Sequence, residues 1–147
     1  MGARVKLDDV SEGYLFVGFT DVISTTVEAP IYMNAAAIDS DAANACGLVY
    51  DVDATTDKFY VGGVKANTDT DPIAVSTFTP VDATYFDLRI EVDADGVCTG
   101  WINEVFIGTI ASAVTVTTAL CAAVIVGNRS ANQVIATLDY VWTAQNR

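Results

Sequence analysis

Residues 85–109 constrain the fold more than any other part of this sequence. Residues 86–93 alternate strictly between apolar and charged side chains, in the order Phe-Asp-Leu-Arg-Ile-Glu-Val-Asp. A period of two over eight residues is typical of a β-strand with one buried and one solvated face. A tight turn follows, in which Gly96 can adopt the positive φ that reverses the chain. A return strand, a second turn and a third strand complete a predicted antiparallel meander, at 97–102, 103–104 and 105–109.

The rest of the chain repeats this β pattern. Runs rich in aromatic and β-branched residues are separated by polar turns, at 14–20, 46–51, 58–64, 73–79, 120–126 and 133–142. Only residues 31–44 are alanine-rich, and they have two interpretations, a short helix or a loop, of which the Asn, Asp and Ser content favours the loop. The sequence therefore predicts an all-β protein of about ten to twelve short strands, a sandwich or a barrel with little or no helix.

The length of 147 residues predicts one domain, which at this size buries roughly 70% of its unfolded surface. Residues 1–13 are mostly polar and are predicted to form an amino-terminal arm or an edge strand, followed by a single domain over 14–147. The longest apolar run, 119–127, is shorter than the ~20 residues that span a bilayer, so it is interpreted as a buried strand. No signal peptide is expected, because no apolar segment follows the first residues.

The charge balance restricts the partners. Seven basic and 19 acidic residues give a net charge of −12, which lacks the basic footprint of a nucleic-acid binder and repels an anionic membrane. Only 18% of the residues are charged, against about 25% in a typical globular domain, while 52% are hydrophobic. This favours a component of an assembly that hides surface against its neighbours, and a deep single core is the alternative.

Residue types also bear on catalysis and on redox state. The three cysteines, Cys46, Cys98 and Cys121, have small or apolar neighbours and are predicted to be buried free thiols of a protein that folds in a reducing cytoplasm. The sequence has no histidine, the commonest general base and zinc ligand. No serine or cysteine has a neighbouring base, and no glycine-rich phosphate loop precedes a helix. The chain is therefore predicted to be no enzyme and to use no cofactor.

Two acidic patterns have a chemical and a simpler interpretation. Glu91 and Asp93 lie on one strand face, at the turn end of a hairpin. Glycoside hydrolysis needs two carboxyl groups about 5–10 Å apart across a cleft. A solvated strand face is therefore the favoured interpretation of these two carboxylates. Residues 51–57 and 67–71 are rich in oxygen ligands, as calcium loops are. Asx turns explain both loops, and an EF-hand would need glycine and glutamate where Thr56 and Gly62 stand. No metal is therefore predicted.

The hairpin of residues 89–109 resembles the central hairpin of concanavalin A-like (laminin G-like) jelly rolls. These domains often carry a strand, an Asp-Gly turn, an aromatic-x-Asn-Gly turn and an aliphatic strand, and Glu104 stands here in place of the usual last glycine. Segments 16–21, 47–51, 138–142 and 145–147 are also similar to tailed-phage particle proteins of this fold. The resemblance implies an antiparallel jelly-roll β-sandwich in a virion structural protein, made in the host cytoplasm and placed on the outer capsid surface.

The roles implied by this resemblance are capsid decoration (cement) protein, head fibre and tail-associated module, of which capsid decoration, with the major capsid protein as partner, is the expectation. Capsid symmetry favours closed assemblies, so a homo-oligomer, a dimer or trimer, is expected. The predicted capsid-binding residues lie in the amino-terminal arm, because two early cations stand out on an acidic chain; these residues are Arg4, Val5, Lys6 and Leu7. Deleting residues 1–7 is expected to leave a folded sandwich that no longer binds capsid.

The alternative is a carbohydrate-binding module of a phage fibre or head that contacts host glycans. Its predicted binding residues are Trp101 and Tyr60, since aromatic rings form platforms for sugars in related lectins. Trp101 and Ile102 face opposite ways in a strand, so only one of them can be buried. Trp142 lies in an apolar alternation and is predicted to pack in the core.

Overall fold

The computed structural model describes residues 1–24, 29–74 and 77–145. These residues form thirteen β-strands and a single-turn 3-10 helix at Val10–Glu12, and they contain no α-helix. The strands are β1 (Gly2–Leu7), β2 (Gly13–Thr20), β3 (Ile31–Asn34), β4 (Ala37–Ser40), β5 (Asn44–Asp51), β6 (Phe59–Lys65), β7 (Thr68–Asp69), β8 (Ile73–Ala74), β9 (Phe86–Val92), β10 (Cys98–Ile102), β11 (Val105–Ile110), β12 (Cys121–Asn128) and β13 (Ala136–Trp142). The prediction of an all-β protein is confirmed. In the described ranges, no helix has the length and hydrophobicity required to cross a membrane.

Two antiparallel sheets face each other across one core. Sheet A has the strand order β11-β10-β9-β1-β13, and sheet B has the order β12-β2-β5-β6-β7, with β8 also paired to β6. Both sheets contribute fully buried side chains to the same cluster, such as Ile90 from sheet A and Val17 and Leu48 from sheet B. The alternation predicted for 86–93 is confirmed, because Phe86, Leu88 and Ile90 point inward. The β-sandwich character therefore follows from period-two strands that bury one face each.

A two-stranded hairpin, β3–β4, covers the other face of sheet B. Its side chains Ile31, Met33 and Ile38 are buried against Phe16 and Val49 of sheet B. Sheet B is thus covered on both faces, which explains why β5 is buried along all eight of its residues. The helix and loop interpretations of residues 31–44 were both wrong, because the apolar side chains of β3 alternate with polar ones and lie on an apolar sheet surface.

Close approach of two strands requires glycine at the centre of sheet B. Gly18 of β2 lies opposite Gly47 of β5, and the ring of Phe16 packs beside them. A Cβ atom on Gly47 would lie 2.6 Å from the carbonyl oxygen of Val17 and 2.7 Å from the Phe16 ring. No larger residue fits at Gly47 without displacing backbone, so these glycines allow the outer face of sheet B to carry bulky aromatic side chains.

Strand β1 corrects the prediction of an amino-terminal arm or edge strand for residues 1–13. It lies between β9 and β13 inside sheet A and pairs with both. Val5 and Leu7 point into the core, and the amino group of Met1 donates a hydrogen bond of 2.8 Å to the carbonyl oxygen of Ile90. Burial lowers the pKa of this amine below its ordinary value. The segment looks polar in sequence because its outward face carries Arg4 and Lys6, whereas its inward face is apolar.

The two turns of the central meander differ in strain. Gly96 has a φ of 75°, as predicted, and Asp93 Oδ1 accepts hydrogen bonds of 2.9 Å from the backbone N–H groups of Asp95 and Val97. In the second turn both central residues have positive φ, 49° at Asn103 and 65° at Glu104. Such a turn favours Asn-Gly, so Glu104 occupies a conformation in which glycine would be less strained.

Candidate binding surfaces

The solvent face of sheet A carries a row of side chains that crosses all five strands. Trp142 of β13 lies opposite Gly2 of β1, Gly2 lies opposite Arg89 of β9, and Arg89 lies opposite Trp101 of β10. Trp101 in turn lies opposite Phe106 of β11. These residues are up to 140 positions apart in the chain, and antiparallel strand pairing makes them neighbours. We call Trp101, Phe106, Tyr140 and Trp142 the aromatic face.

Arg89 and Gly2 each contact an indole ring of the aromatic face. The guanidinium of Arg89 lies 4.1 Å from the centre of the Trp101 ring, and the rings of Trp101 and Phe106 meet edge to face at 6.3 Å. Trp142 lies over Gly2, where a Cβ atom would approach the indole Nε1 to 2.6 Å. Glycine at this position therefore lets the indole rest on the sheet, where 45% of the residue remains exposed to solvent.

Charged groups border the aromatic face. Tyr140 donates a hydrogen bond of 2.7 Å from its hydroxyl to Asp87 Oδ1, and this bond raises the pKa of Tyr140. Arg89 pairs with Glu91 at 2.8 Å and approaches Glu104 to 4.0 Å. A shallow cleft in this surface is lined by Asp87, Leu88, Arg89, Trp101, Glu104, Tyr140 and Trp142. The surface thus combines aromatic rings with hydrogen-bonding groups of both charges.

The structure does not bring together the two residues predicted to bind carbohydrate. Trp101 points outward on β10, while its neighbour Ile102 is fully buried in the core. Tyr60 lies on β6 of the opposite sheet, is 5% exposed, and shares a hydrogen bond of 2.8 Å with the hydroxyl of Thr56. Tyr60 therefore offers no free ring face to a sugar.

Trp142 was predicted to lie in the core and instead lies on the aromatic face. The register of β13 against β1 points Tyr140 and Trp142 outward and Val141 inward. Sequence reasoning missed Tyr140, Phe106 and Arg89 as members of this surface, because their proximity depends on strand order. The only local signal was Glu104, which replaces glycine in the turn beside them.

The four residues predicted to bind capsid are divided between the two faces of β1. Val5 and Leu7 are buried in the core. Arg4 and Lys6 point to solvent, and both cations stack on the ring of Tyr85, at 5.1 Å and 5.0 Å. Arg4 also lies 3.9 Å from Asp87 and 3.7 Å from a second carboxylate, that of Asp139. They belong to a folded strand and not to a free arm.

A buried ion pair occupies the first of the two loops considered for calcium. Asp51 is fully buried at the end of β5, and its carboxylate accepts hydrogen bonds of 2.9 Å and 2.6 Å from Nε and Nη2 of Arg129. It also accepts one of 3.0 Å from the backbone N–H of Met33. The Arg129 guanidinium lies between the rings of Tyr14 and Tyr32, at 4.8 Å and 5.4 Å. Among the described residues, no three carboxylate or thiol groups are arranged to hold a metal ion.

This ion pair shifts the pKa values of the groups around it. Burial lowers the pKa of Arg129, but the hydrogen bond to Asp51 and the charge of that carboxylate outweigh burial and raise it. Burial, followed by the negative charge of Asp51, raises the pKa of Tyr14 well above its ordinary value. Asp51 and Arg129 therefore connect β3, β5 and the end of β12 as a charged pair.

The cysteines differ in their environments. Cys46 of sheet B and Cys98 of sheet A are both fully buried in the common core. The hydrogen bond that the Cys46 thiol donates to Cys98, together with burial, raises the pKa of Cys46 well above its ordinary value. Cys121 lies on the edge strand β12 and is exposed, so the prediction that all three thiols are buried was wrong for this residue.

A second surface is distinguished by its lack of charge. Between residues 105 and 138 the only charged residue is Arg129, although the chain carries 26 charged residues in all. Several apolar side chains of this region are about half exposed, namely Val116, Ile135, Leu138 and Val141. Leu138 and Val141 pair with Val5 and Ala3, whose side chains point into the core, so the sandwich is open to solvent at this end. We call residues 111–128, Ile135, Leu138 and Val141 the uncharged side.

Comparisons of this chain with protein-family models, with curated proteins and with solved structures find no match. The two surfaces described above, the aromatic face and the uncharged side, are therefore the basis for inferring a function. The two surfaces use different chemistry, because one offers aromatic rings bordered by charges and the other offers an open apolar core and a strand edge.

Proposed function

We propose that this protein is a non-enzymatic decoration protein of a tailed-phage capsid, that it binds the major capsid protein on the outer head surface, and that its sandwich is a concanavalin A-like jelly roll. The observation that carries the proposal is the uncharged side of a protein whose net charge is −12. The resemblance of segments 16–21, 47–51, 138–142 and 145–147 to tailed-phage particle proteins supports the choice of particle, and that of residues 89–109 to concanavalin A-like jelly rolls supports the fold.

The uncharged side has the physical properties of a protein–protein contact. Leu138 and Val141 lie at the open end of the core with about half of each residue exposed, and exposed apolar surface of this kind marks interaction sites. Covering Leu138 and Val141 would remove apolar area from water without burying a charge, which is the costly step in forming an interface. The acidic remainder of the surface would repel another acidic subunit.

A contact of ordinary size is sufficient for this role. Stable interfaces bury about 800 Å² on each partner, a modest part of the 7313 Å² that this chain exposes. A sandwich that binds only assembled capsid subunits shifts the equilibrium towards the assembled head. Its contribution would be mechanical, because each bound copy adds interface that must be broken when the head comes apart.

Binding to phage heads tests this proposal. We expect the purified protein to bind saturably, in co-sedimentation, to heads that have been stripped of accessory proteins, and to raise their resistance to heat. Leu138→Asp should weaken binding by about tenfold or more, because it places a charge in the apolar contact. Val105→Asp is the matched control, since Val105 is similarly exposed at 49% but lies on the far edge of sheet A. Absence of binding, or equal binding by both variants, would contradict the proposal.

The aromatic face favours a second candidate function, recognition of host glycans. Sugar rings present C–H faces that pack on aromatic rings, and their hydroxyl groups bond to side chains such as Asp87 and Arg89. Glu104 keeps a positive φ of 65° at the border of this face, where glycine would relieve strain. Residues held in such conformations concentrate at functional sites.

Tryptophan fluorescence tests glycan binding. We expect oligosaccharides of the host surface to change the emission of Trp101 and Trp142, and Trp142→Ala to weaken binding by about tenfold. Tyr32→Ala is the control, because this half-buried ring lies on the β3–β4 hairpin at the opposite side of the sandwich. If no glycan changes the emission, or if Trp142→Ala binds as tightly as the unmodified protein, the aromatic face has no lectin role.

A further inference from the structure

In the described residues, the two sheets of the sandwich have four outer edges, and three of these edges have features that discourage further pairing. In sheet A, β11 carries a bulge at Ile107, and β13 carries a bulge at the charged residue Asp139. At one edge of sheet B, β7 and β8 have only two residues each. Bulges, charges and short length are the devices by which natural sheets prevent edge-to-edge association.

Strand β12, at the other edge of sheet B, has none of these devices. Its eight residues, C-A-A-V-I-V-G-N, pair with β2 in continuous register from Cys121 to Asn128. The strand contains no charged residue, no proline and no bulge. Within the described ranges, β2 is the only strand that pairs with it. Its outer edge therefore presents a row of backbone donors and acceptors that a further strand can satisfy.

We propose that β12 pairs antiparallel with β12 of a second copy of this chain, so that two B sheets form one continuous sheet across a homodimer. This inference rests on the proposed function in one respect, since it assigns only strand β12 of the uncharged side to a second copy and keeps the capsid contact at Leu138 and Val141 of β13. In the two-fold register centred on Val124, this residue lies opposite Val124 of the second copy, and Cys121 lies opposite Gly127. An antiparallel strand pair is self-complementary, as a two-fold interface requires.

The distribution of charge favours contact through β12 over contact through other parts of the surface, and it favours a second copy over a strongly charged partner. Eighteen of the 19 acidic residues precede residue 105, so two copies that approach through most of their surface bring like charges together. Approach through β12 brings two strands without charged residues together instead. A strongly charged partner would gain nothing from this edge, because β12 offers no charge to pair with.

The side chains of β12 also suit a continuous sheet. Val124 and Val126 pack on the common core, and Ala123 and Ile125 pack on the cluster beneath the β3–β4 hairpin. These residues are only half-buried in one copy. Pairing would therefore continue both apolar faces of sheet B across the two-fold axis and cover side chains that a single copy leaves partly in water.

Molar mass in solution tests the dimer. Light scattering and sedimentation equilibrium should give twice the 15.5 kDa chain mass at micromolar concentration, with dissociation on dilution. Ile125→Lys places two cations beside the axis and should weaken the dimer by about tenfold or more, whereas Val105→Lys on the bulged edge of sheet A should leave it unchanged. A protein that stays monomeric at all concentrations, or a dimer equally stable in both variants, overturns the proposal.

Cross-linking tests the register independently of Ile125→Lys, which could fail to fold because Ile125 is half-buried. Gly127→Cys should form a covalent dimer with Cys121 of the second copy when diamide oxidises the two thiols to a disulfide and is itself reduced to the hydrazine. A Cβ atom at Gly127 would make only ordinary contacts, the nearest at 3.6 Å to Tyr14. Val105→Cys is the control and should remain a single chain on a non-reducing gel. If Gly127→Cys cross-links no faster than this control, the proposed pairing is wrong.

The proposed dimer and the proposed capsid role can be overturned independently of each other. A monomer that binds stripped heads overturns the dimer and leaves the proposed function intact. A dimer that does not bind heads overturns the proposed function and leaves the strand pairing intact. Purified full-length protein serves for both measurements, so the two results are directly comparable.

Discussion

Arg129→Met is expected to lower the free energy of unfolding by about 3–5 kcal/mol, because it leaves the carboxylate of Asp51 buried without its counter-charge. Asp51 is fully buried, and its carboxylate keeps the hydrogen bond from the backbone N–H of Met33 but loses both bonds from the guanidinium. The substitution also removes the cation that lies between Tyr14 and Tyr32. Urea denaturation followed by circular dichroism measures the change.

Arg89→Met is the matched control for this prediction. Arg89 also pairs with a carboxylate, but its side chain is 35% exposed and that of Glu91 is 55% exposed, so its loss should cost about 1 kcal/mol or less. Adding Asp51→Asn to Arg129→Met should recover part of the lost stability, since the amide carries no charge to desolvate. If the two arginine variants lose the same free energy of unfolding, the buried ion pair stabilises the fold no more than the exposed one.

Deletion of residues 1–7 is expected to prevent folding. Strand β1 pairs with both β9 and β13, so its removal takes the centre out of sheet A and detaches β13. Each buried aliphatic side chain contributes about 1.5–3 kcal/mol, and β1 buries Val5 and Leu7 besides Ala3. Together with the lost strand pairing, this is comparable to the whole stability of a domain, about 5–15 kcal/mol. The shortened protein should lack a cooperative thermal transition.

The control for the deletion keeps the strand and removes its cations. Arg4→Ala combined with Lys6→Ala leaves the core-facing residues in place, and it should change the free energy of unfolding by about 1 kcal/mol or less. This pair of variants separates the strand from the two charges that suggested a capsid-binding arm. A cooperative melt of the shortened protein near the temperature of the full chain would restore the interpretation of residues 1–7 as an arm.

The aromatic face and the strand edge proposed for the dimer belong to different sheets. The aromatic face lies on the outward side of sheet A, and the edge strand β12 belongs to sheet B. A dimer through β12 would therefore leave the aromatic rings accessible in both copies. Capsid attachment and glycan contact can be measured on the same dimer, and substitutions at Leu138 and Trp142 separate them.

Local sequence patterns by themselves determined the elements of the central meander. The alternation of residues 86–93 predicted a strand, and Phe86, Leu88 and Ile90 are buried as the pattern requires. The turn at Gly96 followed from its freedom to adopt positive φ, which the structure shows at 75°. These predictions succeeded because strand period and turn geometry depend on residues within a few positions of each other.

Long-range pairing decided what local patterns left open. Residues 1–13 have too few apolar positions to be distinguished from an arm, and only the partners β9 and β13 make β1 an interior strand. Residues 31–44 form a hairpin because the outer face of sheet B offers an apolar surface on which Ile31 and Met33 can pack. Long-range pairing also exposes Trp142, because its register opposite Gly2 points its side chain outward.

Composition and periodicity therefore determined that this chain is an acidic, all-β protein whose residues 105–138 carry a single charged side chain. Only the tertiary structure decided which residues form the aromatic face and which strand keeps a free edge. The physical reason is that a strand's own sequence sets its two faces, whereas its neighbours in the sheet are chosen by the burial and backbone hydrogen bonding of the whole chain. A binding surface built across five strands depends on that choice at every step.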